Sequence, residues 1–169
     1  MRRTFIHPAK LVAAGGVATL LGLAVAGEAE AAPIASPHNA TAAAAACTTG
    51  NDARRAADAY LDSLVSHDAS GVPFAADVLR VENGLVTGRS GDEIRNDLNT
   101  SVKYKIITGL RDRTYAEGEP TADGTVTENV DYRLDVGVGT ATLLTVRVRE
   151  RFDVRCGQIT YINATIGLW

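Results

Sequence analysis

Two side chains in this sequence have the type and the setting that acid–base chemistry requires. Glu150 is the one acid on an otherwise apolar face of a strand-like run, between Val148 and Phe152. A carboxyl group buried there would be desolvated and its pKa would rise, which suits a general acid or base near neutral pH. Tyr60 lies in the middle of an apolar helical stripe and carries a hydroxyl that can donate a hydrogen bond. Both residues are therefore candidate catalytic residues.

Each candidate also has a structural explanation, and the sequence leaves both open. Glu150 could lie at the rim of a sheet or accept a bond from the opposing strand. Glu128, on the apolar side of its own strand, has the same ambiguity as a pocket residue. Tyr60 could be an amphipathic core residue whose hydroxyl finds any acceptor. Asn83 could be a pocket residue, but the dipeptide Asn83-Gly84 is also suited to the positive φ angles of a type I′ hairpin turn.

The helix that carries Tyr60 is predicted from its period. Apolar residues recur over about residues 51–66 with the i, i+3, i+4 spacing of one buried helical face. The residues of this face are Ala53, Ala56, Ala57, Tyr60, Leu61, Leu64 and Val65. The polar segment 67–71 ends the helix, and residues 73–76 are predicted to form one further turn. The sequence Ser90-Gly91-Asp92-Glu93 has the spacing of a capping box and begins a second, short helix.

The strand pattern positions the acidic candidates. Short strand-like runs at residues 79–82 and 85–87 flank the Asn83-Gly84 turn. Longer runs cover residues 102–110, 125–136, 140–155 and 158–166, separated by turn signals, and they predict an antiparallel meander. The polar face of the third long run is rich in arginine, and Asp131 and Asp135 on the second can pair with it. A solvated ion-paired face and a docking surface for an anionic partner are both open.

Helices followed by a strongly curved antiparallel sheet indicate an α+β domain, in which the sheet wraps the first helix and leaves a pocket. The segment from Asp58 to Gly84 resembles the opening of the nuclear-transport-factor-2-like superfamily, which includes SnoaL-like polyketide cyclases and ketosteroid isomerases. The segment VRERFDVRCGQITYINATI resembles the closing hairpin of the same proteins. The resemblance is nearest to secreted SnoaL-like proteins of unassigned function. It implies a cone-shaped fold with N-terminal helices packed in a curved antiparallel sheet, and it narrows the fold far more than the function.

The resemblance also implies roles for particular residues. In ketosteroid isomerases a tyrosine of the first helix donates a hydrogen bond to the developing oxyanion, and Tyr60 is at the matching place. The base of those enzymes is an aspartate at the end of the first strand, where this chain has Asn83, which cannot carry a proton between carbons. The aspartic acid that completes the oxyanion hole matches Val148. Ordinary ketosteroid isomerisation is therefore disfavoured, and Asn83, Glu128, Val148 and Phe152 are expected to line the pocket around Tyr60 and Glu150.

The first part of the chain predicts export. Arg2, Arg3 and Lys10 precede an apolar stretch and a small-residue cleavage pattern at Ala29-Glu30-Ala31, so residues 1–32 are expected to be an export signal peptide. The twin-arginine and the general secretory routes are both open. Residues 33–46 read as an Ala/Pro-rich spacer, and residues 47–169 as one SnoaL-like domain. We expect a secreted or cell-envelope protein without a stable membrane anchor.

Cys47 and Cys156 are the two cysteines of the chain, and an exported protein works where disulfides form and persist. We expect them to be bonded to each other, with a lipid-modified Cys47 as the alternative. The formal net charge of −3 does not favour a nucleic-acid partner. No group of residues in the sequence has metal-ligand spacing, and no phosphate loop or dinucleotide fingerprint occurs, so neither a metal nor a cofactor is expected.

Two functions from different classes follow from these observations. The first is an exported domain of unassigned activity that binds a small hydrophobic ligand, or a partner, in its cone pocket. The alternative is a cofactor-free isomerase, lyase or cyclase on a small hydrophobic carbonyl or polyketide-like substrate. In that alternative Tyr60 is the oxyanion donor and Glu150 the acid or base. The resemblance also implies a homodimer formed through the sheet.

Overall fold

The computed structural model describes Cys47 and residues 49–168, so the predicted export signal and spacer lie outside the described residues. The elements follow in the order α1 (Gly50–Ser66), β1 (Phe74–Glu82), β2 (Leu85–Gly88), α2 (Gly91–Thr100), α3 (Val102–Lys105), β3 (Ile107–Glu117), β4 (Thr125–Val138), β5 (Ala141–Arg155) and β6 (Gln158–Gly167). Helices thus precede the long strands, as the sequence predicts. Within the described part of the chain, every helix falls short of the length and apolar character that crossing a membrane requires.

Helix α1 forms where its period predicts it. Thr49 caps its start: the Thr49 hydroxyl accepts a bond from the Asp52 amide, and the Asp52 carboxylate accepts one from the Thr49 amide at 3.0 Å. The predicted apolar stripe is buried apart from Val65, which is 37% exposed. The helix ends at His67, whose φ of 57° is in the left-handed region typical of a helix C-terminus. Tyr60 is thereby directed into the core.

The six strands of the described region form one curved sheet in the order β2-β1-β6-β5-β4-β3. Neighbouring strands are antiparallel except β1 and β6, which are parallel. The sheet is therefore mixed rather than wholly antiparallel as expected, because the chain returns β6 to the side of β1 after the meander β3–β5. The hydrophobic core lies between α1 and the inner face of this sheet.

Two predictions of local structure are wrong. Residues 73–76 do not form a helical turn, since β1 already begins at Phe74. Residues 102–110 are not one strand, because α3 occupies the first part, where the amides of Tyr104 and Lys105 both donate to the Ser101 carbonyl. The alternation of Val102 and Tyr104 imitates a strand, although Val102 is 76% exposed. Strand β3 then runs further than predicted, to Glu117.

Two hairpin turns are formed by residue pairs with positive φ angles, a geometry that the sequence predicts for Asn83-Gly84. Asn83 and Gly84 have φ angles of 48° and 80° between β1 and β2. Cys156 and Gly157, with φ angles of 51° and 74°, form the equivalent turn between β5 and β6. The predicted bond between Cys47 and Cys156 is confirmed, with their Cα atoms 4.4 Å apart. It ties the residue that precedes α1 to the closing hairpin.

The outer face of the sheet carries ion pairs between neighbouring strands. Asp131 of β4 accepts from Arg147 at 3.0 Å and from Arg149 at 3.3 Å, as predicted. Asp135 pairs instead with Arg111 of β3, at 3.1 Å. Because these arginines are about half exposed, each pair contributes little to stability.

Candidate functional site

A cavity of about 250 Å³ lies between α1 and the inner face of the sheet. Most of its wall is apolar. The apolar lining residues are Leu64, Ile107, Leu134, Val136, Val146, Val148, Ala164 and Ile166. The remaining lining residues are polar or charged: Tyr60, Glu82, Lys103, Tyr104, Tyr132 and Glu150. The cavity therefore combines a mainly apolar wall with a small number of polar groups that can orient a ligand.

Glu150 projects from β5 into this cavity and is 4% exposed. The hydroxyl of Tyr132, on the neighbouring strand, donates a hydrogen bond to Glu150 Oε2 at 2.7 Å. Burial raises the pKa of Glu150 to about 7, against the lowering effects of the Tyr132 hydrogen bond, of Arg80 and of the Tyr60 hydroxyl, while the charge of Glu82 adds to the rise. Near neutral pH the carboxyl group can therefore either hold or release a proton.

Tyr60 reaches the same cavity from α1. Its ring packs edge-on against Phe152 and Phe74, with ring centroids 5.3 and 6.2 Å away, and it is 2% exposed. Burial and the neighbouring Glu150 raise the pKa of Tyr60 well above its ordinary value, although Arg80 opposes the rise. The hydroxyl therefore stays protonated and remains a donor. The structure brings Tyr60 and Glu150, which lie 90 positions apart in the sequence, to one cavity.

Three other predicted pocket residues lie in three different positions relative to the cavity. Val148 lines the cavity. Phe152 does not reach the wall; it lies beneath it and supports the ring of Tyr60. Asn83 is exposed in its turn, where its Oδ1 accepts from the Ile166 amide at 2.8 Å and its Nδ2 donates to the Ile166 carbonyl. Its side chain therefore holds the turn against β6 and takes no part in the cavity.

Glu128, the remaining predicted pocket residue, is a separate buried acid. It is 1% exposed on β4 and lies opposite Glu117 of β3, outside the cavity wall. Its Oε1 finds no hydrogen-bond donor among the described residues. Burial, with a further contribution from Glu117, raises the pKa of Glu128 above its ordinary value. Glu128 thus resembles Glu150 in burial and differs from it in having no access to the cavity.

Tyr132 is a site residue that the sequence argument missed. Its place on the apolar face of the second long run, two positions from Val130 and Leu134, was a usable signal. Strand register was the missing information, because Tyr132 pairs with Val148 and so lies diagonally across from Glu150. The buried Tyr132 hydroxyl has its pKa raised by burial and by Glu150, so it also remains a donor.

A charged cluster beside the cavity was missed as well. Arg80 of β1 is fully buried and donates to Thr87 and to Asp97 of α2. Glu82, two residues further along the same strand face, accepts a bond from the Tyr104 hydroxyl at 2.6 Å. The sequence did contain a signal for this cluster: Arg80 and Glu82 follow the buried Val78 at every second position of the strand, so all three side chains share the inner face.

The arrangement can bind and polarise one oxygen-bearing group. Two tyrosine hydroxyls and one carboxyl group with a near-neutral pKa converge at a single end of an apolar cavity. Within the described part of the chain, no cluster of three or more His, Cys, Asp or Glu side chains is placed to hold a metal ion. The groups present are suited to hydrogen bonding and to proton transfer.

Comparison with known proteins identifies the family. A family described as a domain of unknown function, DUF8021, matches residues 47–166. The chain belongs to this family. The matched region runs from the first cysteine into β6 and therefore includes Tyr60, Tyr132 and Glu150. No curated protein matches the chain.

Solved structures share its fold. A provisionally named isomerase from Rhodopseudomonas palustris is 11% identical, with a TM-score of 0.53, over 70% of this chain and 91% of its own. A provisionally named SnoaL-like polyketide cyclase from Shewanella putrefaciens is 12% identical, with a TM-score of 0.50, over 75% and 86%. The orange carotenoid protein of Anabaena (Nostoc) sp., which binds canthaxanthin, is 16% identical, with a TM-score of 0.51, over 67% and 35%. At these identities the likeness concerns the fold alone, and it confirms the predicted cone-shaped α+β fold, in which helices pack in a curved sheet.

Proposed function

We propose that the cavity binds a small, mainly apolar molecule that carries one carbonyl or hydroxyl group, and that this group lies against Glu150 and Tyr60. The observation that carries the proposal is the polar end formed by these residues and Tyr132 in an otherwise apolar wall. Apolar walls with a few convergent polar groups are typical of small-molecule sites. An apolar cavity of about 150 Å³ already holds benzene. A cavity of about 250 Å³ therefore has room for one or two rings.

A relative in fold supports this proposal. The orange carotenoid protein is described as binding canthaxanthin, and part of that chain shares the fold of this one. The fold is thus compatible with an apolar ligand. The cavity here is small, so we expect a much shorter molecule than a carotenoid.

Titration with two simple probes tests binding. Nitrobenzene and 4-nitrophenol have one ring each and differ by one hydroxyl group, and calorimetry measures the affinity of both. Val146→Phe adds a ring to the cavity wall, whereas Leu143→Phe changes an exposed residue of the same strand. We expect Val146→Phe to weaken both probes by about tenfold or more, because the ring occupies the space that they need. Equal binding by both variants would show that the cavity is not the site.

Proton transfer is a second candidate function, and the pKa of Glu150, about 7, favours it. The Glu150 carboxylate would remove a proton from the carbon next to a carbonyl group, and the C–H electron pair would move to form an enolate. Tyr60 would donate a hydrogen bond to the enolate oxygen. Glu150 would then return the proton to the same carbon or to another carbon of the conjugated system. Return to another carbon gives an isomer of the substrate, whereas return to the same carbon regenerates the substrate or inverts that centre; neither outcome requires a further reactant.

Deuterium exchange tests this second function with a matched pair of variants. The probe is 2-tetralone, a two-ring ketone with acidic hydrogens next to its carbonyl, in deuterated water. Glu150→Gln should reduce catalysed exchange by about 100-fold or more, because an amide cannot take up the proton. Glu128→Gln removes an equally buried acid outside the cavity and should leave exchange unchanged. Undiminished exchange by Glu150→Gln would exclude Glu150 as the base.

We further propose that the domain works outside the cytoplasm. The Cys47–Cys156 disulfide supports this location, because disulfides persist in oxidising compartments. Replacing Arg2 and Arg3 by lysine and following the processed protein distinguishes the routes. Loss of export would assign the twin-arginine route, and unchanged export would assign the general secretory route. A full-length, unprocessed wild-type protein in the cytoplasm would contradict the proposal.

A further inference from the structure

Arg80 is a fully buried arginine beside the polar end of the cavity. Its Nε donates to Thr87 Oγ1 at 3.1 Å, and its Nη2 donates to the Thr87 carbonyl at 3.0 Å and to the Asp97 carboxylate. A guanidinium group removed from water requires such acceptors and a compensating charge. The surrounding bonds therefore fix both the position and the positive charge of Arg80.

The guanidinium group lies directly behind the cavity wall. Glu82, Tyr104 and Tyr60 all line the cavity, whereas Arg80 does not. Arg80 Nε is 3.7 Å from Glu82 Oε1, and its Cζ is 5.2 Å from the centre of the Tyr104 ring. Its charge also acts on the Tyr60 hydroxyl, whose pKa it lowers against the larger effects of burial and of Glu150 and against the smaller effect of Glu82. The one guanidinium nitrogen without an acceptor among the described residues is Nη1.

The charges around this end of the cavity balance when Glu150 is protonated. Arg80 and Lys103 are positive, while Glu82 and Asp97 are negative and bridge them. Tyr60, Tyr104 and Tyr132 remain neutral, since the pKa of each hydroxyl is raised, mainly by burial. A negatively charged ligand oxygen at Tyr60 would then have Arg80 behind it and no ionised carboxylate at Glu150 opposing it.

We propose that Arg80 is a positioning residue that makes the Tyr60 end of the cavity selective for ligands with a negatively charged oxygen, namely the phenolate or enolate oxygens of weak hydrophobic acids. This inference rests on the proposed function, because it concerns the same cavity. Arg80 acts through Tyr60 and does not touch the ligand. Its charge strengthens the hydrogen bond that the Tyr60 hydroxyl donates to an anionic oxygen, and it does little for a neutral one.

Nitrobenzene and 4-nitrophenol separate the effect of ligand charge from that of ligand shape. Near pH 7, 4-nitrophenol is present in both its neutral and its ionised form, and absorbance identifies the bound form. Nitrobenzene has nearly the same shape and cannot ionise. We expect the wild-type protein to bind 4-nitrophenol as the phenolate. Arg80→Met should weaken phenolate binding by about tenfold or more and change nitrobenzene binding by less than about threefold. Arg80→Lys, which keeps the charge, should restore part of the difference.

Asp97→Asn provides an independent test in which the expected sign is reversed. Asp97 is 24% exposed on α2 and neutralises both Arg80 and Lys103. Removing its charge leaves the positive charge behind Tyr60 less compensated, so phenolate binding should strengthen by roughly threefold to tenfold. Nitrobenzene binding should stay unchanged. General damage to the fold would instead weaken both probes, which makes this variant informative even if Arg80→Met does not fold.

The outcomes separate this inference from the function on which it rests. Equal losses of both probes in an Arg80→Met variant that folds as the wild type does, or no gain in phenolate binding by Asp97→Asn, would overturn the role of Arg80 and leave cavity binding intact. A wild-type protein that binds neither probe would refute the proposed function itself. Loss of phenolate alone in Arg80→Met, together with its gain in Asp97→Asn, supports the inference.

Discussion

Replacing Glu150 by glutamine should make the protein more stable at alkaline pH. Burial holds the pKa of Glu150 at about 7 in the folded protein, against an ordinary value of 4.5. The folded state therefore binds this proton more tightly than the unfolded state does. The stabilisation that results is fully present below the unfolded pKa and is lost as the pH rises through the folded pKa. Glutamine cannot ionise, so the variant lacks this pH dependence.

The size of the effect follows from the difference between the two pKa values. Since one pKa unit corresponds to about 1.4 kcal/mol, a shift from 4.5 to about 7 removes about 3.5 kcal/mol of stability between acid and alkaline pH. Most of this loss falls between about pH 4.5 and pH 7. The glutamine carbonyl can still accept the hydrogen bond from the Tyr132 hydroxyl, which donates to Glu150 at 2.7 Å. Above pH 8, Glu150→Gln should therefore be the more stable protein by roughly 3 kcal/mol.

Urea unfolding of the oxidised protein at a series of pH values measures this difference. The quantity of interest is the free energy of unfolding of Glu150→Gln minus that of the wild type, because other titrating groups cancel in it. Glu119→Gln is the control, since it removes the same charge from an exposed position. The Glu150→Gln difference should rise with pH and then level off, while the control difference stays flat. A Glu150→Gln difference that does not vary with pH would refute the argument from burial.

Three further predictions concern single interactions. Tyr132→Phe removes the hydrogen-bond donor that lowers the pKa of Glu150. The pKa of that carboxyl group, measured by NMR, should therefore rise by about one unit or more. A lower pKa would contradict the hydrogen bond between the two side chains. Burial raises the pKa of Glu128, so the free energy of unfolding should decrease less with rising pH in Glu128→Gln than in the wild type. The same pH dependence of urea unfolding in both proteins would contradict this. Replacing Cys47 and Cys156 by alanine should destabilise the protein by about 4 to 5 kcal/mol in the chain-entropy model for a separation of 109 residues; a loss below about 1 kcal/mol in urea would contradict it.

Periodicity was sufficient for the elements whose pattern is unambiguous. The stripe that contains Tyr60 predicted α1, and the strict alternation around Glu150 predicted both β5 and the inward direction of its carboxyl. The Asn83-Gly84 turn was also predicted, because few other residues adopt its positive φ angles readily. These features depend on neighbours within a few residues, which is the range over which sequence patterns carry structural information.

Prediction failed where distant parts of the chain decide the structure. The alternation at Val102 and Tyr104 favoured a strand, but the Tyr104 hydroxyl bonds to Glu82 on β1, and a helical turn places it there. For the same reason Tyr104 was not recognised as a cavity residue. The parallel pairing of β1 with β6 depends on the crossover as a whole, and no local pattern specifies it.

The candidate site was predicted in part. Tyr60 and Glu150 both line one cavity, and their role as a functional site stays a proposal. Glu128 and Phe152 are both buried on the inward face, yet neither lines the cavity, and Phe152 instead packs against the ring of Tyr60 on α1. Facing inward was therefore not sufficient to line the cavity. The bonds that hold Arg80 come from Thr87 and Asp97, which no periodicity connects with it.

The most direct test of the central claim is a carbon-13 NMR titration of the Glu150 carboxyl group, assigned by its absence in Glu150→Gln, with and without 4-nitrophenol. The account predicts a pKa of about 7 for the free protein. It also predicts a higher pKa in the complex, because an anionic oxygen at Tyr60 favours the protonated form of the neighbouring carboxyl. A pKa near the ordinary value of a glutamate, unchanged by 4-nitrophenol, would contradict both the burial of this acid and the ligand site.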